Sequence, residues 1–127
     1  VRQGRAGGNM GDLRIKSRQW IVDEDDHIII GEGRKEIFEH IRSTGSINKA
    51  AKVMRMSYKG VWSKIKATEK ALNRRLVDTD RKSGTKLTKE GEKLLEKYSK
   101  LKRECMKQDN KVFEEIFGQR DGKSAKE

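Results

Sequence analysis

Residues 45–91 read GSINKAAKVMRMSYKGVWSKIKATEKALNRRLVDTDRKSGTKLTKEG, and this stretch decides the fold. Gly45 suits the left-handed position that closes a helix, and Ser46 suits the N-cap of the next one. Ile47, Ala50, Ala51 and Met54 recur at i, i+3, i+4 and i+7, the spacing of one buried helix face. The small Ala50 and Ala51 let a neighbouring helix approach closely. Arg55-Met56 makes a tight connection and Ser57 a second N-cap. A third helix is expected over Tyr58–Leu72, burying Val61, Ile65, Thr68 and Leu72. Two helices joined this tightly form a helix-turn-helix. Leu76-Val77-Asp78 and Thr85-Lys86-Leu87 then flank the tip Arg81-Lys82-Ser83-Gly84, as two strands of a short wing. Thr88 caps a last helix reaching about Phe117, with no proline to break it.

Upstream, Leu13 and Ile15 alternate with Arg14 and Lys16, and Trp20-Ile21-Val22 continues the strand. The polar turn Asp23–Asp26 leads back through His27-Ile28-Ile29-Ile30, so Leu13–Ile30 reads as a β-hairpin. A hairpin is marginal alone and must pack on the helices or on a second subunit. A first helix, Arg34–Ser43, turns Ile37, Phe38 and Ile41 inward. The expected fold class is mainly α with small β (α+β): a winged helix-turn-helix preceded by a β-hairpin and followed by a long dimerisation helix. In that helix Leu94, Tyr98, Leu101 and Cys105 step by 4, 3 and 4, and Val112 and Ile116 extend the seam past Gln108. Such spacing resembles a coiled-coil stripe and points to a homodimer. Hydrophobic content of only 32% gives a thin core a further reason to pair. Residues 13–118 are expected to form the domain, 1–12 a flexible leader with Met10 as natural start, and 119–127 a disordered tail.

Charge sharpens the reading. Ile41–Arg103 holds 19 Lys+Arg against 6 Asp+Glu, a net of +13, whereas the flanks net −1 each and the chain +11. That is the electrostatic footprint of a phosphate-backbone binder. On the third helix the face opposite the buried stripe carries Lys59, Ser63, Lys66 and Lys70. A charge run is by itself only a solvated face; on the third helix of a helix-turn-helix it becomes a candidate for the major groove. Lys59, Ser63 and Lys66 are expected at base edges. Tyr58 and Trp62 flank the stripe, Trp62 as packing and Tyr58 with its hydroxyl within reach of a phosphate. Ser46, Asn48, Lys49, Ser57 and Lys64 complete the helical candidates, and Arg81, Lys82 and Lys86 of the wing are expected on phosphates.

Other chemistries find no support. Cys105 is the only cysteine, so neither an internal disulfide nor a Cys-based zinc site is expected. His27 and His40 have no partners at ligand spacing, and the acidic turn lacks the Gly and Glu positions of a calcium loop. Gly31-Glu32-Gly33 is too short for a phosphate fingerprint, and no catalytic constellation is evident. No enzyme, metal or cofactor is expected. No stretch approaches the roughly 20 apolar residues of a membrane span, which predicts a cytoplasmic protein.

Residues Gly45–Gly91 resemble the amino-terminal winged-helix domain of the ModE family of molybdate-responsive transcription regulators. The resemblance rests on GSINKAAK (45–52), MSYKGVW (56–62) and KLTKEG (86–91). LysR-type regulators share the helix-turn-helix and the LTxxG junction, while the SYKGVW wording is closer to the molybdate family. GEGRKEIFEHI (31–41) and VFEEIFG (112–118) are similar to monopartite relatives, so the resemblance covers roughly Leu13–Gly118. It implies a sequence-specific regulator that binds double-stranded DNA as a homodimer. The β-rich domains with which full-length members bind molybdate or tungstate have no counterpart here, so no oxyanion site is carried over. Two rivals remain at this point: a nonspecific architectural nucleic-acid binder, and a protein-interaction adaptor on a winged-helix scaffold.

Overall fold

The computed structural model describes residues 12–118. They divide into two compact units, one spanning Arg18–Leu101, the other combining the residues up to Ser17 with those from Lys102 onward. The larger unit contains a hairpin, β1 (Ile21–Val22) and β2 (Ile28–Ile30), then α1 (Glu32–Thr44), α2 (Ile47–Met54), α3 (Tyr58–Leu72) and a second hairpin, β3 (Val77–Asp80) and β4 (Gly84–Leu87). The last helix, α4 (Lys89–Phe117), starts in this unit and ends in the other. The α+β winged helix-turn-helix expected from the sequence is what forms.

Each helix stops or starts where its capping chemistry dictates. Gly45 sits at φ 74° and donates its N–H to the Ile41 carbonyl, closing α1. Ser46 and Ser57 accept the N–H of Lys49 and Gly60, opening α2 and α3. Arg55 and Asn73 close these helices in the left-handed region. Thr88 accepts the Gly91 N–H at 3.0 Å while its hydroxyl donates to the Arg75 carbonyl at 2.6 Å, so one side chain caps α4 and ties it to the wing.

The core is a single cluster built from every element of the larger unit except β1. Ile30, Ile37, Phe38, Ile41, Ile47, Ala50, Ala51, Val61 and Ile65 meet Leu76, Val77, Leu87, Leu95 and Tyr98. Burying each large side chain contributes roughly 1.5–3 kcal/mol. Two polar residues stitch the layers. Thr68 donates its hydroxyl to the Ile29 carbonyl at 2.7 Å, and Arg34 Nη1 reaches both Thr68 Oγ1 at 3.0 Å and the Ile28 carbonyl at 2.6 Å. The first hairpin is thereby fastened to α1 and α3.

Several boundaries differ from the sequence reading. Leu13–Lys16 forms no strand: β2 is three residues long and pairs only with Ile21–Val22, with a register shift, so it offers no strand edge to Leu13–Lys16. His27 lies in the turn, where Asp23 Oδ1 accepts its N–H at 2.9 Å. Helix α1 begins at Glu32, not Arg34, because extended Gly31 takes the N-cap position. The wing reaches further than expected, to Asp80, with β4 beginning at Gly84. The expected leader and tail lie outside the described residues, apart from Asp12.

Candidate nucleic-acid interface

Helix α3 presents Lys59, Ser63, Lys66 and Lys70 on its exposed side. Val61, Ile65, Thr68 and Glu69 face inward, with Thr68 and Glu69 held by hydrogen bonds. Ser63 donates its hydroxyl to the Lys59 carbonyl at 2.9 Å, so its lone pairs are what it offers outward. Lys66 is held twice. Its Nζ lies 4.4 Å from the centroid of the Trp62 ring and 3.0 Å from Glu69 Oε1.

Trp62 flanks the buried stripe, as expected, but does not enter the core. It is 38% exposed and stacks against Tyr58, itself 49% exposed, with centroids 6.4 Å apart and planes 13° from parallel. Four-residue spacing brings the two rings onto one face of the helix. Lys64 lies elsewhere. It follows Ser63 by one residue, about 100° around the helix, and lines a hollow of about 160 Å³ with Trp20, Ile28, Met54 and Met56.

Ser46 and Ser57 are occupied as caps, while Asn48 and Lys49 stand exposed on the first turn of α2. On the wing, Arg81, Lys82 and Lys86 are exposed. Asp80 shapes the tip by accepting the Lys82 N–H at 2.9 Å. That bond above all, then the Ser83 hydroxyl, holds its carboxyl below the usual carboxylate range. The wing leans on the helix-turn-helix through the Thr85 N–H, which donates to the Gly45 carbonyl at 2.9 Å.

Glu69 is a residue that sequence reasoning missed. It is only 8% exposed, yet its Oε2 accepts the Leu76 N–H at 2.7 Å and the Val77 N–H at 3.2 Å, and its Oε1 meets Lys66. Burial on its own would raise this carboxyl. The Leu76 amide, the Lys66 ammonium and the Val77 amide together outweigh burial and hold it below its ordinary value. A lone acidic residue in a lysine-rich helix is the signal that would have found it.

The final helix also corrects the seam. Tyr98 is 1% exposed, packed in its own core, and its hydroxyl donates to the Gln19 carbonyl at 2.6 Å. It has no surface left for a partner. Leu95, which the seam omitted, is buried beside it, Leu94 is partly buried against the core, and Leu101 is exposed. In the smaller unit Val112 and Ile116 are exposed, Ile116 at 66%, and Cys105 is half-buried. Phe113 and Phe117 stack there at 5.3 Å, and Ser17 donates to Asp109.

At the first hairpin's turn, Asp23, Asp25 and His27 come together, all exposed. Asp23 is spent on the turn itself, accepting the N–H groups of Asp25 and His27. Those bonds, His27's foremost, keep its carboxyl low.

With this geometry established, the chain's likeness to known proteins is specific. Residues 34–92 match the model of the bacterial regulatory helix-turn-helix protein, LysR family. This segment is similar to a LysR-type helix-turn-helix. The match runs from the first residues of α1 to the first turn of α4, taking in the wing. A curated relative, the transcriptional regulator ModE of Haemophilus influenzae, is 35% identical over 80 residues, 60% of this chain and 31% of the relative. The chain thus spans about a third of that relative's length. The fold is seen again in a solved structure, the crystal structure of a CbnR_DBD–DNA complex. It superposes with a TM-score of 0.53 at 20% identity, over 63% of this chain and 91% of the other. Among the described residues no helix is long and apolar enough to cross a membrane.

Proposed function

We propose that this chain is the DNA-binding part of a sequence-specific transcription regulator that acts as a homodimer in the bacterial cytoplasm. Its work is binding, not catalysis. The observation that carries the reading is the exposed face Lys59–Ser63–Lys66 on the second helix of a helix-turn-helix, inside the segment of net charge +13. The names of the ModE relative and of the CbnR complex support duplex DNA as the partner. Helix α3 enters the major groove, where Lys59 and Ser63 meet base edges and Lys66 follows. Asn48 and Lys49 at the start of α2, and Arg81, Lys82 and Lys86 on the wing, hold phosphates and set the register. The caps Ser46 and Ser57 aim the helix N-termini, whose free N–H groups suit phosphate oxygens.

A second copy pairs along the distal part of α4, where Val112 and Ile116 leave apolar surface uncovered. Pairing sets the spacing of two half-sites. The test is the double variant Lys59→Ala, Lys66→Ala, compared with the unchanged protein on duplexes of different sequence. Site preference is expected to vanish while the dimer persists. Equal preference in both proteins overturns the assignment of α3 as the reading helix.

A further inference from the structure

Two aromatic rings stand exposed on α3 beside the lysines, and a core role explains neither. Tyr58 and Trp62 are 49% and 38% exposed, yet each has partners: their rings stack, and the Lys66 ammonium lies over the Trp62 ring at 4.4 Å from its centroid. Lys66 is itself fixed by Glu69, whose other oxygen is bonded to the Leu76 N–H. Trp62 is therefore braced from both directions along the helix, by a ring one turn before and a cation one turn after. An exposed indole held this firmly presents a rigid apolar edge at little further entropic cost on binding.

What such an edge can recognise follows from what surrounds it. Lys59, Lys66 and Lys70 make the neighbourhood cationic, which favours a polyanion over an apolar protein surface. In a major groove the apolar group on offer is the C5 methyl of thymine, the one feature there that is read by contact and not by hydrogen bonds. We propose that Trp62, braced by Tyr58 and Lys66, is a specificity-determining residue that reads the C5 methyl of a pyrimidine in the target duplex. The inference rests on α3 being the reading helix and adds a chemical class of contact to it. It also gives Lys66 a second duty as a brace, which explains why its ammonium is directed along the helix.

The test uses the full chain and a duplex obtained by selection from random sequence. Each thymine of the half-site is replaced singly by uracil, which removes only the methyl, and each cytosine by 5-methylcytosine, which adds one. For the unchanged protein, uracil at one or two positions is expected to weaken binding about three- to fivefold, the loss of roughly one buried methyl. In Trp62→Ala that penalty disappears at the same positions, and Trp62→Phe keeps part of it. Circular dichroism of both variants establishes that they are folded. Equal binding of thymine and uracil duplexes by the unchanged protein overturns the inference, as does an undiminished penalty in Trp62→Ala. A selected motif without methyl dependence removes this inference alone. Absence of any motif removes the reading of α3 as well.

Discussion

Glu69 and Leu76 are joined by a 2.7 Å hydrogen bond from the Leu76 N–H to a nearly buried carboxylate. The bond fixes where the wing departs from α3, and the same carboxylate holds Lys66 on the exposed side. One acidic residue therefore coordinates the two surfaces that are proposed to meet DNA.

Removing it strands two buried N–H groups. Glu69→Ala is expected to cost about 2 kcal/mol or more, read as a shift in chemical denaturation. Glu69→Gln keeps an acceptor and should cost less. A change within a few tenths of a kcal/mol for Glu69→Ala would show that the wing is held by other means.

The same residue gives a pH signature. Its folded carboxyl titrates below its ordinary value of 4.5, so its contribution is complete above that value and is lost as pH falls through the lower folded value. The stability gap between the unchanged protein and Glu69→Gln should therefore be widest near neutral pH and narrow below about pH 4.5. Thermal melts across this range measure it, and a gap independent of pH would contradict it.

Gly84 adopts φ 85°, and a Cβ there would stand 2.6 Å from the Gly45 carbonyl oxygen. Gly84→Ala meets both the strained backbone and that collision, next to the bond from the Thr85 N–H to the same carbonyl. A loss of about 1–3 kcal/mol is expected. Unaltered stability would mean that the wing moves off the α1–α2 turn without penalty.

Tyr98 and Ile116 separate packing from pairing. Tyr98→Phe removes the bond to the Gln19 carbonyl and should cost about 1 kcal/mol, with the state of association unchanged. Val112→Glu with Ile116→Glu should leave the larger unit folded and convert dimer to monomer, as measured by sedimentation. The opposite pattern would return the seam to Tyr98.

For the wing, Arg81→Ala with Lys82→Ala should lower the slope of log affinity against log salt by about 2, with the same preferred sequence. An unchanged slope would take these residues off the phosphates.

Much of this was written in the sequence because it is local. Gly45, Ser46, Ser57 and Thr88 announce helix ends through their own conformations and hydroxyls, and the helical spacing of Val61, Ile65 and Thr68 defines an inward face. What stayed hidden depends on distant partners. The periodicity of α4 shows Leu94, Tyr98 and Leu101 as one stripe, but only the folded chain reveals Gln19 waiting for the Tyr98 hydroxyl and Leu95 turned to the core. The Leu13–Lys16 alternation looks like a strand until β2 proves too short to pair with it. Trp62 reads as core or shoulder packing, and its partial exposure follows from Val61 and Ile65 already filling the inner face. The acid Glu69 reads as surface until its two backbone donors come into place.

The most direct measurement is selection of bound sequences from a random duplex library by the purified protein at physiological salt. The account predicts an enriched inverted repeat, with half-sites separated by about one helical turn or a multiple of it. Retention without any shared sequence, or no retention at all, would contradict it.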